Sequence, residues 1–228
     1  MVGTGRTAMG VVQFAEPGPG DVVVVPAAAG GIGTLLVQYA KNAGATVIGL
    51  AGGPEKTGRV AANGADLAVD YRDPDWPERI RAYDGKVTVV YDGVGGDAAR
   101  TAVGLLAPGG RHIVFGWSAD GIRDGGPLVV EGVTVQVLGP VMLERAGGPD
   151  PLRTLELRAL AEAAAGRADP GRPPLPALRG RRRAPRPGEP GHDRQGGPGA
   201  VSEMPGDYLA GWGVASVRYA PFHGLLAR

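Results

Sequence analysis

The stretch Asp21-Val22-Val23-Val24-Val25-Pro26-Ala27-Ala28-Ala29-Gly30-Gly31-Ile32-Gly33 decides the fold of this chain. Four valines in a row have the pattern of a strand buried on both faces. Small residues and three glycines follow. Residues 34–43 (Thr-Leu-Leu-Val-Gln-Tyr-Ala-Lys-Asn-Ala) then read as a helix with Leu35, Leu36, Tyr39 and Ala40 on one side. Strand, glycine turn and helix, in that order, make a dinucleotide-site candidate. Glycine is needed at such a turn because a side chain would hold the backbone away from a pyrophosphate. The helix start offers N–H groups and a partial positive charge to the phosphates. The candidate contacts are Ala28, Gly30, Gly31, Ile32 and Gly33. The competing reading is a tight strand–helix turn with no ligand; the flanking strand and helix favour the site.

Working outward, residues 45–50 (Ala-Thr-Val-Ile-Gly-Leu) form a second apolar run. An acid that binds the ribose hydroxyls of NAD commonly stands about 20 residues after the glycine motif, at the end of this strand. The sequence there is Leu50-Ala51-Gly52-Gly53, without a carboxylate. A carboxylate would repel a 2′-phosphate, so its absence favours NADP over NAD. Lys56 follows at the start of the next helix, expected over residues 54–63, with Pro54 suited to its first turn. The residues alone leave open whether Lys56 meets a phosphate or is a solvated surface lysine.

The bulk numbers bound the rest. The chain has 228 residues, 24 basic and 23 acidic, so charge gives no global case for nucleic acid or a membrane surface. It has no cysteine, which excludes disulfides, a catalytic thiol and cysteine-ligated zinc. Its three histidines are scattered without metal-ligand spacing. No apolar run is long enough to span a bilayer. The N-terminus lacks the order of a signal peptide. A soluble, cytoplasmic protein is the expectation.

The spelling Ala27-Ala28-Ala29-Gly30-Gly31-Ile32-Gly33 departs from the common G-x-G-x-x-G, with Ala28 in place of the first glycine. It resembles the fingerprint of the zinc-independent quinone oxidoreductase branch of the medium-chain dehydrogenase/reductase family. Three further stretches carry the resemblance. Gly64-Ala65-Asp66 leads into a strand over residues 67–69 and then Asp70-Tyr71. Asp92-Gly93-Val94-Gly95-Gly96 is similar to the Asp-x-Val-Gly-Gly turn that passes close to the cofactor. Phe115-Gly116 is similar to the turn beside the nicotinamide. By resemblance, Lys56 and Tyr71 contact the 2′-phosphate of NADPH, and Val94, Phe115 and Gly116 lie near the cofactor. Asp92 is expected to cap its turn or the next helix rather than do chemistry. After Gly116 the chain departs from the family's Ser-Gly pair with Trp117-Ser118-Ala119-Asp120-Gly121. The family serine that assists at the phosphate is replaced within Gly52-Gly53.

Helices are further expected over residues 5–15, 73–84, 98–106 and 152–165. Trp76, Ile80 and Tyr83 form the inward side of the second of these; Leu155, Leu157 and Leu160 are available for packing on the last. Strands are expected over 87–91, 111–115 and 131–138. Right-handed crossovers make this order a Rossmann-type α/β fold, a doubly wound parallel sheet with its crevice at the carboxyl ends of the strands. Residues 1–20 are the lead-in helix and linker, and residues 21–168 the NADP-binding domain. The resemblance covers residues 5–165 and implies that the family's N-terminal substrate domain is absent.

Residues 169–228 do not fit that domain. Residues 170–199 hold eight of the 21 prolines and no Val, Ile, Phe, Tyr or Trp, which predicts disorder. A basic cluster at residues 179–183 lacks the interleaved aromatics of a base-stacking surface, which argues against nucleic acid. Read one nucleotide later with GC-rich codons, residues 181–199 permit a peptide resembling the family's closing segment. A frameshift near Leu178 is the expectation, and sequencing the coding DNA decides it. The family's last strand, and a basic residue near it that helps hold the 2′-phosphate, would then be missing.

The resemblance implies an NADPH-dependent quinone or enone reductase that passes hydride to a conjugated carbonyl, here as a fragment. Its partners would be a small quinone or enone; intact relatives can pair as homodimers. No Ser/His/Asp or paired-carboxylate constellation is present, so no catalytic residue is assigned and no metal is expected. The alternatives are a dinucleotide-binding fragment without turnover, and another medium-chain dehydrogenase such as an enoyl reductase or alcohol dehydrogenase.

Overall fold

The structure, a computed structural model, describes residues 2–83, 85–119, 128–137 and 139–168. The elements run α1 (Val2–Val12), β1 (Val22–Val25), α2 (Gly31–Asn42), β2 (Thr46–Ala51), α3 (Pro54–Ala62), β3 (Leu67–Asp70), α4 (Trp76–Arg81), β4 (Val87–Asp92), α5 (Gly96–Val103), β5 (Leu106–Val114), β6 (Thr134–Gln136), α6 (Pro140–Ala146) and α7 (Pro151–Ala164). The tail from residue 169, for which disorder and a frameshift are expected, lies outside the described residues, as does residue 138 at the end of the sixth expected strand.

The strands form one sheet in the order β3-β2-β1-β4-β5-β6, every neighbouring pair parallel. This is the expected doubly wound sheet. Its direction of winding reverses between β1 and β4, and a crevice opens at the carboxyl ends of strands at such a point. Strand alternation divides the valines of β1 between two cores. Val23 and Val25 join Leu36 of α2, Val11 of α1 and Leu155 of α7 on one face. Val22 and Val24 join Ile48, Leu50, Val69, Trp76 and Ile80 on the other. Coverage on both faces is why β1 needs an unbroken apolar run rather than a polar alternation.

The linker after α1 is tied to the amino ends of the strands. Asp21 accepts the Thr88 hydroxyl at 2.7 Å, the Gly18 N–H at 3.0 Å and Arg111 Nη2 at 2.7 Å. Arg111 also donates to the Ala15 carbonyl. Burial raises the Asp21 pKa, but these donors outweigh it and hold the carboxyl below its ordinary value.

Several expectations change: α1, α4, α5 and β6 take the bounds given above rather than residues 5–15, 73–84, 98–106 and 131–138. Helix α2 starts at Gly31, three residues early, so Gly31, Ile32 and Gly33 form its first turn. Strand β5 starts at Leu106, and its pairing shifts register between Val87 and Val89, which accommodates residues 107–110 inside the strand. Helix α6 was not anticipated. On α7, Leu155 is fully buried with Ala159, whereas Leu157 and Leu160 are exposed at 51% and 42%. The reason is close approach: a Cβ at Gly5 of α1 would stand 3.0 Å from Ala159 Cβ, so α7 contacts α1 along a narrow i, i+4 stripe.

Candidate coenzyme-binding site

The glycine turn joins β1 to α2 at the switch point. Ala27 has φ +50°, a left-handed conformation unusual for a residue with a Cβ. Its carbonyl accepts the Gly30 N–H at 2.9 Å, and the Ala28 N–H goes to Leu50 O at 2.9 Å. Ala28 is fully buried, so it locks the turn onto β2 and its N–H is already engaged. Gly33 is also buried. A Cβ there would stand 2.5 Å from the Ala27 carbonyl oxygen and 2.8 Å from Ala28 Cα, both immobile backbone atoms. Glycine at 33 is what lets α2 begin directly behind the turn. Gly30 and Gly31 are exposed and Ile32 is half-buried. The first N–H groups of α2 have no carbonyl within the helix to meet, and Gly30 at the cap position offers no side-chain acceptor. The five expected residues therefore divide: Ala28 and Gly33 are buried packing positions, Ile32 is half-buried against the core, and Gly30 and Gly31 are exposed.

The end of β2 forms the second part. Tyr71 is 41% exposed, and its hydroxyl lies 2.8 Å from where a Gly52 Cβ would be, over the turn after β2. Lys56 is half-buried in the first turn of α3, which follows that turn directly. Both expected phosphate contacts thus border Gly52–Gly53. Sequence reasoning missed a second pair. Register places Asp70 beside Ala51, so a carboxylate does stand at the end of β2, delivered by the neighbouring strand. Arg72 grips it with Nε to Oδ1 at 3.1 Å, Nη2 to Oδ2 at 2.9 Å and its backbone N–H to Oδ1 at 3.0 Å. The Arg72 hydrogen bond leads in holding the Asp70 carboxyl far below the usual carboxylate range, and the Gly53 N–H adds to it. The i, i+2 spacing of Asp70 and Arg72 around Tyr71 was the available signal.

The third part lies at the ends of β4 and β5. Asp92 is fully buried and its Oδ1 accepts the N–H groups of Val94 and Gly95 at 2.8 and 2.9 Å, the expected capping role. Its Oδ2 lies 3.3 Å from Nε2 of His112, also fully buried, whose Nδ1 lies 2.9 Å from Thr134 Oγ1. Phe115 donates its N–H to Asp92 O at 2.8 Å, and its ring lies 2.4 Å from where a Gly93 Cβ would be. Gly116 packs on the Gly93 carbonyl, and Ala119 N–H reaches Val94 O at 2.8 Å. Val94, Phe115 and Gly116 are thereby brought together, each half-buried. His112 and Thr134 were not singled out, because their meeting depends on the pairing of β5 with β6.

A parallel sheet of this strand order, with a glycine-packed helix start at its switch point, defines a Rossmann-type α/β domain. Residues 31–144, half of the chain, match the family model described as zinc-binding dehydrogenase, and the chain belongs to that family. Within it, the chain falls in the zinc-independent quinone oxidoreductase branch. It is 37% identical over 108 residues to a 2-haloacrylate reductase of Burkholderia sp, covering 46% of this chain and 32% of that protein. It is 37% identical over 103 residues to a quinone oxidoreductase of Salmonella typhimurium, covering 44% and 32%. Among solved structures, a Pseudomonas syringae quinone oxidoreductase matches with a TM-score of 0.59 at 32% identity, covering 73% of this chain and 52% of that one. An Escherichia coli quinone oxidoreductase complexed with NADPH matches with a TM-score of 0.61 at 26% identity, covering 73% and 52%. The chain thus spans about a third of the length of these curated relatives. Among the described residues no group of three His, Cys, Asp or Glu is placed to hold a metal ion, and no helix is long and apolar enough to cross a membrane.

Proposed function

We propose that this chain is the NADPH-binding part of a reductase that delivers hydride to a conjugated carbonyl, of the quinone or enone class. The observation that carries the reading is the turn after β2. No carboxylate comes from β2, Tyr71 lies over Gly52, Lys56 starts the next helix, and Asp70 is neutralised by Arg72. That surface suits a 2′-phosphate better than a bare ribose. The relatives' names agree in chemistry, and one is an NADPH-dependent curcumin reductase, 32% identical over 110 residues.

The residues present fit the coenzyme. Gly30, Gly31 and the start of α2 would receive the pyrophosphate, Lys56 and Tyr71 the 2′-phosphate, and the Val94 and Phe115–Gly116 turns would flank the nicotinamide. When bound, the nicotinamide supplies the hydride. Asp92 fixes the Val94–Gly95 turn, and the Phe115 ring packs over Gly93. No side chain of this chain is assigned a proton-transfer role.

Titration of the purified chain with NADPH and NADH, followed by NADPH oxidation in the presence of a benzoquinone, tests this. Tighter binding of NADPH with quinone-dependent turnover is expected. Binding without turnover supports the second reading, dinucleotide binding without reduction at the same site. A folded chain that binds neither coenzyme refutes both.

A further inference from the structure

We propose that the Asp70–Arg72 pair decides between NADPH and NADH, with Arg72 acting as a removable mask on a carboxylate that would otherwise select NADH. The inference rests on the coenzyme reading above and goes beyond it, because neither residue belongs to the Lys56/Tyr71 pair.

Coenzyme choice in a doubly wound sheet is made where the second strand ends. A carboxylate there accepts the ribose 2′-hydroxyl and repels a 2′-phosphate, while a nearby arginine accommodates the phosphate. Here both functions occupy one place. Asp70 is the register partner of the last residue of β2, and its carboxylate is held against the Gly53 N–H. Arg72 covers that carboxylate in a fork that engages both oxygens. The guanidinium also lies over the turn: Nη2, Cζ and Nη1 stand 2.5, 3.1 and 3.3 Å from where a Gly53 Cβ would be. Gly53 has φ +96°, so any other residue is disfavoured twice, by backbone strain and by collision with the guanidinium. The arginine side chain is 59% exposed and the aspartate 25%, so a ligand can reach the pair.

The charges give the direction. Closed, the pair is neutral, and the positive charge of Lys56 and the Tyr71 hydroxyl remain for a phosphate dianion. Arg72→Gln bares one negative charge beside the ribose, which favours a 2′-hydroxyl and opposes a 2′-phosphate. Asp70→Asn frees a full guanidinium, which can fork onto a phosphate. The double variant removes both charges and lies between the two.

The test is dissociation constants of the full chain for NADPH, NADH and adenosine 2′,5′-bisphosphate, measured by fluorescence or calorimetry, with thermal melts confirming that each variant folds. Arg72→Gln is expected to lower the preference for NADPH over NADH by tenfold or more and to weaken adenosine 2′,5′-bisphosphate in parallel. Asp70→Asn is expected to raise that preference several-fold, and Asp70→Asn/Arg72→Gln to bring it back toward the parent value. If Arg72→Gln weakens NADPH and NADH equally, or leaves the ratio within twofold in a folded protein, the pair is only a structural clip and the proposal is overturned. A parent chain that binds NADH but not NADPH overturns it as well. A folded parent that binds neither coenzyme fails at the coenzyme reading itself, before the variants are compared, and takes the proposal with it.

Discussion

Replacing His112 by leucine should loosen the turn beside Val94, and the cost can be worked from the geometry. His112 and Asp92 are both completely buried, with Nε2 3.3 Å from Oδ2. A carboxylate only accepts, so Nε2 carries a proton and donates to Oδ2, while Nδ1 meets the Thr134 hydroxyl. Leucine keeps the volume but leaves Oδ2 without its donor, while Oδ1 retains the N–H groups of Val94 and Gly95. A hydrogen bond to a charged group is worth about 1.5–3 kcal/mol. The two surviving bonds on Oδ1 keep the expected loss within that range, about 2–3 kcal/mol. At about 2–4 °C per kcal/mol for a chain of this size, the melting temperature should fall by roughly 4–12 °C. Asp92→Asn should cost less, because the ring can switch tautomer and accept from the new amide. In a double-mutant cycle read by urea unfolding, Asp92→Asn/His112→Leu should show a coupling of about 1–2 kcal/mol. A loss below about 0.5 kcal/mol for His112→Leu, or strict additivity in the cycle, would refute the idea that His112 holds Asp92.

Three other outcomes are expected. Gly33→Ala drives a methyl group into the Ala27 and Ala28 backbone and should cost about 1–3 kcal/mol as overpacking, with loss of NADPH binding; an unchanged melt and titration would mean α2 does not need its close start. Tyr91 is fully buried, and its hydroxyl has no hydrogen-bond partner among the described residues. Tyr91→Phe should therefore be neutral or stabilising by about 1 kcal/mol, and a clear drop in the melting temperature would show that the hydroxyl is satisfied. Acid should destabilise the fold in a defined window. Asp21, Asp66 and Glu162 are all held below their ordinary values of 3.8, 3.8 and 4.5. Near those values the unfolded chain binds more protons than the folded one, so stability rises with pH there. It is complete above them and lost as pH falls through the lower folded values; melts against pH should show this, and Asp21→Asn should make the acid limb shallower.

Much of the fold was legible because it is written locally. The run Val22–Val25 reads as a two-faced strand, and the glycines after it as a close strand-to-helix junction, although Gly31 and Gly33 prove to lie in the first turn of α2. Lys56 and Tyr71, expected from the resemblance, both stand beside the turn after β2. What the sequence could not yield depends on register and crossing geometry. Asp70 stands 18 residues after Gly52, and only the pairing of Ala51 with Asp70 brings it to the end of β2. His112 and Thr134 meet across β5 and β6 in the same way. Leu157 and Leu160 look as apolar as Leu155, but the close contact between α1 and α7 leaves room for one stripe only.

The turn after β2 also refines what an absent acid means. A missing carboxylate in Leu50-Ala51-Gly52-Gly53 favours NADP only if no neighbouring strand supplies one. Here β3 does, and the electrostatic conclusion survives because Arg72 is forked onto Asp70. The preference thus depends on a contact between two side chains two residues apart, not on composition at the end of β2. Such a contact is exposed, so its strength falls with salt. Discrimination against NADH should therefore be greatest at low ionic strength, where a 2′-phosphate also gains most from Lys56. Two screened effects then act in the same direction, and only the Arg72→Gln and Asp70→Asn variants separate the mask on the carboxylate from the direct attraction of the lysine.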